Sequence, residues 1–88
     1  MKLKYNFVTN KIGEKYVAVA LGDSLENFRK FIKMNETGKY IFDMLKKDVT
    51  REEIINSMLK DFEDATQIEV SETVDEFIFK LKEAAVIE

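Results

Sequence analysis

The chain has 88 residues and a net charge of −3, with 45% hydrophobic and 35% charged residues, and it contains no histidine and no cysteine. This size and composition predict one small domain over residues 1–88, without room for a second. Without cysteine, the chain itself cannot supply disulfides, thiolate zinc sites or ligands for iron–sulfur clusters. Without histidine, it lacks the commonest general base. We therefore expect a non-catalytic protein without metal or cofactor.

The apolar residues are spread along the whole chain and form no block of membrane-spanning length. The start, "MKLKYNFVTN", has neither a long apolar run nor a small-residue cleavage site, so no secretory signal is expected. We therefore expect a cytoplasmic protein without membrane contact.

The N-terminal third has the alternating pattern of strands. The runs "NFVTNKI" and "KYVAVAL" are separated at Gly13, which predicts a β-hairpin with Glu14 and Lys15 in its turn. A third run, "FRKFIKM", predicts a strand over residues 28–34, with Ile32 and Met34 on one face.

Aromatic side chains are expected on the sheet face that points away from the helices: Tyr5, Phe7, Tyr16 and Phe31. An exposed aromatic patch of this size suggests docking to an enzyme or self-association as a homodimer. This expectation depends on the strand register, which a shift of one residue inverts.

Helical spacing begins after the third strand. Asn35 is a good N-cap and predicts a helix over residues 36–47. Thr50 and Glu53 have the spacing of a capping box and predict the start of a second helix. After the polar stretch "EDATQIEVS", apolar residues from Val70 to Ala85 recur at helical spacing and predict a third helix to the end of the chain.

The order of elements is therefore β-β-β-α-α-α. This order predicts an α+β fold in which a three-stranded antiparallel sheet is covered on one face by three helices.

Four segments, in this order and spacing, resemble the family of coenzyme PQQ synthesis protein D (PqqD-like domains, or RiPP precursor peptide recognition elements): "EKYVAVALG", "FIKMNETGKYIFDML", "TREEIINSMLKDFE" and "VDEFIFKLKEAAVIE". The resemblance implies a winged-helix-like fold that is not an enzyme. Such a domain captures the leader segment of a ribosomally made precursor peptide and presents it to a modifying enzyme, often a radical S-adenosylmethionine (SAM) protein.

The chain departs from the family pattern at two places. The family often has an acidic residue before the valine of the last helix, where this chain has Thr73, followed after Val74 by Asp75. The family often ends "E-A-G-L-I", whereas this chain has Ala85 in place of the glycine.

The candidate binding site follows from the free edges of a three-stranded sheet, which proteins either protect or use to add a partner's strand. The resemblance implies that the leader pairs antiparallel to the third strand, in the groove between that strand and the last helix. The helical wheel adds candidates from the last helix. The predicted peptide-binding residues are Arg29, Lys30, Phe31, Ile32, Lys33, Met34, Val74, Asp75, Ile78 and Lys82.

A winged-helix domain that binds nucleic acid or regulates transcription is the alternative function. Such a domain needs several Lys or Arg residues on an exposed helix face, whereas "TREEIINSMLKDFEDA" and "SETVDEFIFKLKEA" are rich in acids. The net charge also disfavours binding to phosphates, so no nucleic-acid partner is expected.

Overall fold

The computed structural model describes residues 1–24, 28 and 30–88. Within these residues the elements are three strands, β1 (Phe7–Ile12), β2 (Lys15–Ala20) and β3 (Phe31–Met34), and three helices, α1 (Glu36–Met44), α2 (Arg51–Asp61) and α3 (Gln67–Glu83). This confirms the predicted β-β-β-α-α-α order and the α+β class. No helix in the described part of the chain is long and apolar enough to cross a membrane.

The sheet is antiparallel with the order β1-β2-β3, so β2 is central and β3 is an edge strand. Val8 pairs with Val19, which in turn pairs with Phe31, while Ala18 pairs with Ile32. Because paired residues in an antiparallel sheet point to the same face, Val8, Val19 and Phe31 lie together on one face. The opposite face packs against the helices.

The face that packs against the helices carries Ala18 and Ala20, both buried, in the central strand. These small side chains let the helices approach the sheet closely. The predicted outer aromatic patch is therefore wrong for three of its four residues, which are Phe7 and Tyr16 of the first two strands and Tyr5 before β1. Phe7 packs against Phe42 of α1, with 5.3 Å between ring centroids, and Tyr5 and Tyr16 are half-buried against the core. Only Phe31 of the predicted patch lies on the outer face.

Each helix begins at a residue whose side chain accepts a hydrogen bond from the first turn. Asn35 accepts from the amide of Gly38 at 2.8 Å, as predicted. Thr50 and Glu53 form the predicted capping box. A second capping box, between Thr66 and Glu69, begins α3 within the predicted polar break, so this helix starts earlier than expected.

Two helices end earlier than predicted. In α1 the i→i+3 bonds of Lys46 to Asp43 and Lys47 to Met44 tighten the chain into turns after Met44. In α3 the chain turns at Ala85, whose φ is +58°. The last residues then leave the helix, and Ile87 forms an antiparallel bridge with Leu3.

The core lies between the inner sheet face and the three helices, and no polar or charged residue in the described part of the chain is buried. Helix residues supply most of its largest fully buried side chains, which are Phe42, Ile41, Leu45, Ile54, Leu81, Val74 and Val86. Helix α1 packs on β2 and β3, and α3 packs on α1 and reaches β3 through Lys80, so the relative position of these elements defines the groove described next.

Candidate functional site

A groove of about 630 Å³ runs beside the edge strand β3. One wall comes from the end of β3 and the beginning of α1, and the other comes from α3. Its lining residues are Lys15, Lys33, Met34, Asn35, Gly38, Thr73, Glu76, Phe77 and Lys80. The four residues from α3 are spaced at i, i+3, i+4 and i+7, so they form one face of that helix.

The backbone edge of β3 faces this groove. The main-chain oxygen of Lys33 accepts a 2.6 Å hydrogen bond from Lys80 Nζ on α3, so it points away from β2. In an antiparallel strand the N–H and C=O of one residue point to the same side, and alternate residues repeat that direction. Phe31 and Lys33 therefore direct their backbone groups outward, whereas Ile32 and Met34 bond to β2. Another strand can pair with this edge.

The floor of the groove is apolar and depends on Gly38. A Cβ atom at Gly38 would lie 2.9 Å from Cε1 of Phe77 and 3.1 Å from Cβ of Met34. The glycine thus lets the first turn of α1 approach α3 and β3, with the Phe77 ring between them. Any larger residue at this position would displace the ring and alter the floor.

Positive charge predominates in the groove, in contrast with the chain as a whole. Three lysines and one glutamate are among its lining residues, Lys15, Lys33, Lys80 and Glu76, although the side chain of Lys33 points to the outer sheet face. Lys33 also places its Nζ 6.0 Å from the ring centroid of Phe31, within the range of a cation–π contact. The groove therefore suits an extended peptide that carries apolar and acidic side chains.

The structure distributes the predicted residues of the third strand between two faces. Ile32 and Met34 are buried in the core, whereas Phe31, Lys33 and the preceding Lys30 are exposed. The backbone edge of the strand faces the groove, so Phe31 and Lys33 present their main-chain groups to it rather than their side chains. Arg29 lies outside the described residues.

The predicted residues of the last helix differ from those that line the groove. Val74 is fully buried in the core, and Ile78 is also buried. Asp75 accepts two hydrogen bonds from Arg51 of α2, from Nε at 2.6 Å and from Nη2 at 3.0 Å. Lys82 is exposed on the same flank of α3 as Asp75. The predicted positions therefore lie on the flank that faces α2, and the groove uses the opposite flank.

Sequence reasoning missed the groove residues of α3, although a signal for them was present. Thr73, Glu76 and Lys80 are polar, and they recur at helical spacing beside the apolar stripe that includes Phe77. The two flanks of the stripe are both polar in the sequence. Only the packing of α3 against β3 distinguishes them.

The outer face of the sheet is a second surface with a defined pattern. Val8, Val19 and Phe31 form an apolar row across all three strands, and their side chains are 40%, 37% and 60% exposed. Lys33 lies in the next row, on the same side of the sheet. This row ends at β3, so it adjoins the edge that faces the groove.

The described residues contain no group of three or more acidic side chains placed to hold a metal ion. The only buried side-chain oxygen among them without a hydrogen-bond donor is Oδ1 of Asp43. Lys46 Nζ lies 3.4 Å from this oxygen, and Lys39 forms an ion pair with the other carboxylate oxygen, so the charge of Asp43 is compensated.

The family model of coenzyme PQQ synthesis protein D (PqqD) matches residues 15–87. The chain belongs to the PqqD family. The match contains β2, β3 and all three named helices, and with them every residue that lines the groove. The resemblance inferred from the sequence is thereby confirmed.

In fold, this PqqD-family chain is similar to a solved structure of TbiB1 in complex with the TbiA(beta) leader peptide. The TM-score is 0.72 and the sequence identity is 18%, over 100% of this chain and 95% of that chain. At this identity the likeness establishes the fold. A sequence comparison with curated proteins gives no match.

Proposed function

We propose that this PqqD-family chain binds the leader segment of a ribosomally made precursor peptide and presents it to a modifying enzyme. The leader lies in the groove as a fourth strand, paired antiparallel with β3. The observation that carries the proposal is the outward-facing backbone of Phe31 and Lys33 beside an apolar floor. The family assignment supports it, and TbiB1, which is similar in fold, was solved with a leader peptide.

The backbone alone does not account for selective binding. Phe31 and Lys33 offer two N–H and two C=O groups, and four hydrogen bonds contribute about 2–6 kcal/mol in total. Ordering a flexible peptide costs about 2–5 kcal/mol, which offsets most of that gain. Apolar side chains of the leader add about 1.5–3 kcal/mol each when they are buried on Phe77 and Met34. These side chains therefore decide which peptide binds, and micromolar affinity is expected.

The proposal assigns no catalysis to the chain itself. The chain has no histidine or cysteine, and Glu76 is the one carboxylate among the residues that line the groove. The chemistry then belongs to the partner enzyme, for which the family resemblance suggests a radical SAM protein. Precursor, binding domain and enzyme meet in the cytoplasm in this scheme.

We place the contact with that enzyme on the outer sheet face. The apolar row on this face, Val8, Val19 and Phe31, ends at the edge of β3 where the leader pairs. An enzyme docked on the row therefore lies next to the bound peptide. Lys33 on this face favours a partner surface with acidic residues. A homodimer through the same face would bring equivalent lysines of two copies together, which disfavours it.

The experiment is a titration of the isotope-labelled chain with synthetic leader segments of precursor peptides encoded in the same gene cluster. One leader should shift the amide signals of Phe31, Lys33, Thr73 and Glu76 in a saturable way. Phe79 is exposed on α3, on the side opposite the core, and serves as the internal control that should not shift. Shifts confined to Val8 and Val19, with β3 and α3 unchanged, would contradict the proposed site.

A further inference from the structure

Lys80 occupies part of the unpaired edge of β3. Its Nζ donates a 2.6 Å hydrogen bond to the main-chain oxygen of Lys33, which lies 47 residues earlier in the chain. This oxygen is one of the four backbone groups that an added strand would use. Lys80 therefore protects the edge while the groove is empty, and a peptide that pairs fully with Lys33 must displace its ammonium group.

The surrounding charges make a carboxylate the best new partner for the displaced group. Lys15 and Lys80 line the groove against one carboxylate, that of Glu76, with Lys33 next to it on the outer sheet face, although the whole chain has a net charge of −3. A bound strand also excludes water from the groove, which makes an unpaired ammonium group costly. A carboxylate is the strongest acceptor that a peptide side chain offers.

We infer, on the basis of the proposed peptide binding, that Lys80 selects leader peptides with an Asp or Glu residue that faces α3. In the empty protein Lys80 bonds to the β3 edge, and in the complex it bonds to the peptide carboxylate. The same side chain thus protects the edge of β3 in the empty protein and contacts the acidic side chain of the peptide in the complex.

The strand geometry also predicts a sequence pattern in the preferred peptide. A peptide residue paired with Lys33 points to the outer face, as Lys33 does, so its two neighbours point toward the groove. One of these inward positions lies near the Phe77 floor, and the other lies near Lys80. The preferred peptide therefore has a large apolar residue and an acidic residue two positions apart.

A peptide-display library of random segments of about twelve residues tests the inference without knowledge of the natural leader. The library is selected against the parent chain, Lys80→Glu and Lys82→Glu. Lys82→Glu is the matched control because it makes the same charge change at an exposed position on the other flank of α3. Circular dichroism confirms that each variant keeps the parent's helix content.

We expect the parent and Lys82→Glu to enrich peptides with an acidic residue two positions from a large apolar residue. Lys80→Glu should lose this preference and enrich Lys or Arg at the same position. Replacing the acidic residue of a selected peptide by its amide should weaken binding to the parent by about five-fold. The same replacement should leave binding to Lys80→Met unchanged.

Two other outcomes separate this inference from the proposed function. If groove-binding peptides emerge without an acidic preference, or if Lys80→Glu retains the preference of the parent, the role of Lys80 is wrong and peptide binding stands. If no selected peptide shifts the amides of β3 in the parent, the proposed function fails and the inference fails with it.

Discussion

At the scale of single residues, Ala85 has the most unusual backbone conformation in the described part of the chain. It is the one non-glycine residue there with positive φ, at +58°. The amide of Ala85 bonds to the oxygen of Lys82, and the amide of Val86 bonds to the oxygen of Leu81, which is the Schellman arrangement at a helix end. This is the position where the family often has glycine, so the departure seen in the sequence has a structural cost.

Ala85→Gly should stabilise the protein. The left-handed conformation costs a non-glycine residue about 1–2 kcal/mol, whereas glycine loses up to about 1 kcal/mol more backbone entropy on folding. Because Ala85 is exposed, no packing is lost, and the net gain should be about 0.5–1 kcal/mol, or several degrees in Tm. Thermal denaturation measures the change. Ala84→Gly, one residue earlier with φ of −80°, is the control and should lower Tm.

The ion pair between Arg51 and Asp75 makes part of the stability depend on pH. Two hydrogen bonds from the Arg51 guanidinium hold the pKa of Asp75 below its usual value. A carboxyl whose pKa is lower in the folded chain stabilises the fold above its unfolded-state pKa, about 3.9, and the contribution is lost as pH falls through the folded value.

Asp75→Asn should therefore lower Tm slightly at pH 7, and the difference from the parent should shrink as pH falls below about 4. Melting curves of both proteins across this range measure the difference. Other carboxyls, such as those of Asp48 and Glu69, also have lowered pKa values, so only the difference between the two proteins isolates Asp75. A difference that stays constant with pH would contradict the assignment.

At the scale of the elements, the edge of β3 provides the sharpest test of strand addition. Lys33→Pro removes an N–H that points into the groove, and proline is tolerated in edge strands when its nitrogen faces outward. We expect this variant to remain folded and to bind the leader up to about tenfold more weakly, since one backbone hydrogen bond contributes up to about 1.5 kcal/mol. Calorimetric titration measures the affinity.

Two controls accompany Lys33→Pro. Lys33→Ala removes the same side chain but keeps the N–H, so its affinity should stay within a few-fold of the parent. Ile32→Pro removes an N–H that bonds to β2 and should unfold the sheet. If folded Lys33→Pro binds as tightly as Lys33→Ala, the leader does not pair with β3.

The elements themselves were predictable from hydrophobic periodicity and capping residues, whereas their faces were not. The alternation in β2 separates Val17 and Val19 from Ala18 and Ala20, and the expected outer position of Tyr16 puts the valines on the side of the helices. The helices instead pack on the alanines, because small residues permit a closer approach. A helical wheel likewise locates the buried stripe of α3 but contains no information on which flank faces β3.

At the scale of the whole molecule, the distribution of charge separates peptide binding from nucleic-acid binding. The exposed positions of α2 include Glu52 and Glu53, and those of α3 include Glu72, Asp75 and Glu76. These helix faces repel phosphates, and the positive charge of the groove is confined to a few lysines. The net charge of the molecule therefore differs in sign from the charge of its candidate site.

We expect no shift of a double-stranded DNA fragment in a gel mobility assay, even at about 50 mM salt, where phosphate contacts are strongest. The leader peptide added to the same samples should still bind. A DNA complex whose affinity falls steeply with salt would instead favour the nucleic-acid function that the winged-helix resemblance left open.

The bridge between Leu3 and Ile87 also bears on the order in which the molecule assembles. The amide of Lys4 bonds to the oxygen of Val86, and the amide of Glu88 bonds to the oxygen of Lys2, so two segments more than eighty residues apart in sequence form a short ladder. Contacts between such distant residues carry the largest loop-closure entropy and form late in folding, whereas the hairpin and the helices are local. The ladder should also open first, and its amides should exchange with deuterium sooner than those of α3. None of the residues in the ladder lines the groove, so opening of the ladder leaves the candidate peptide site in place.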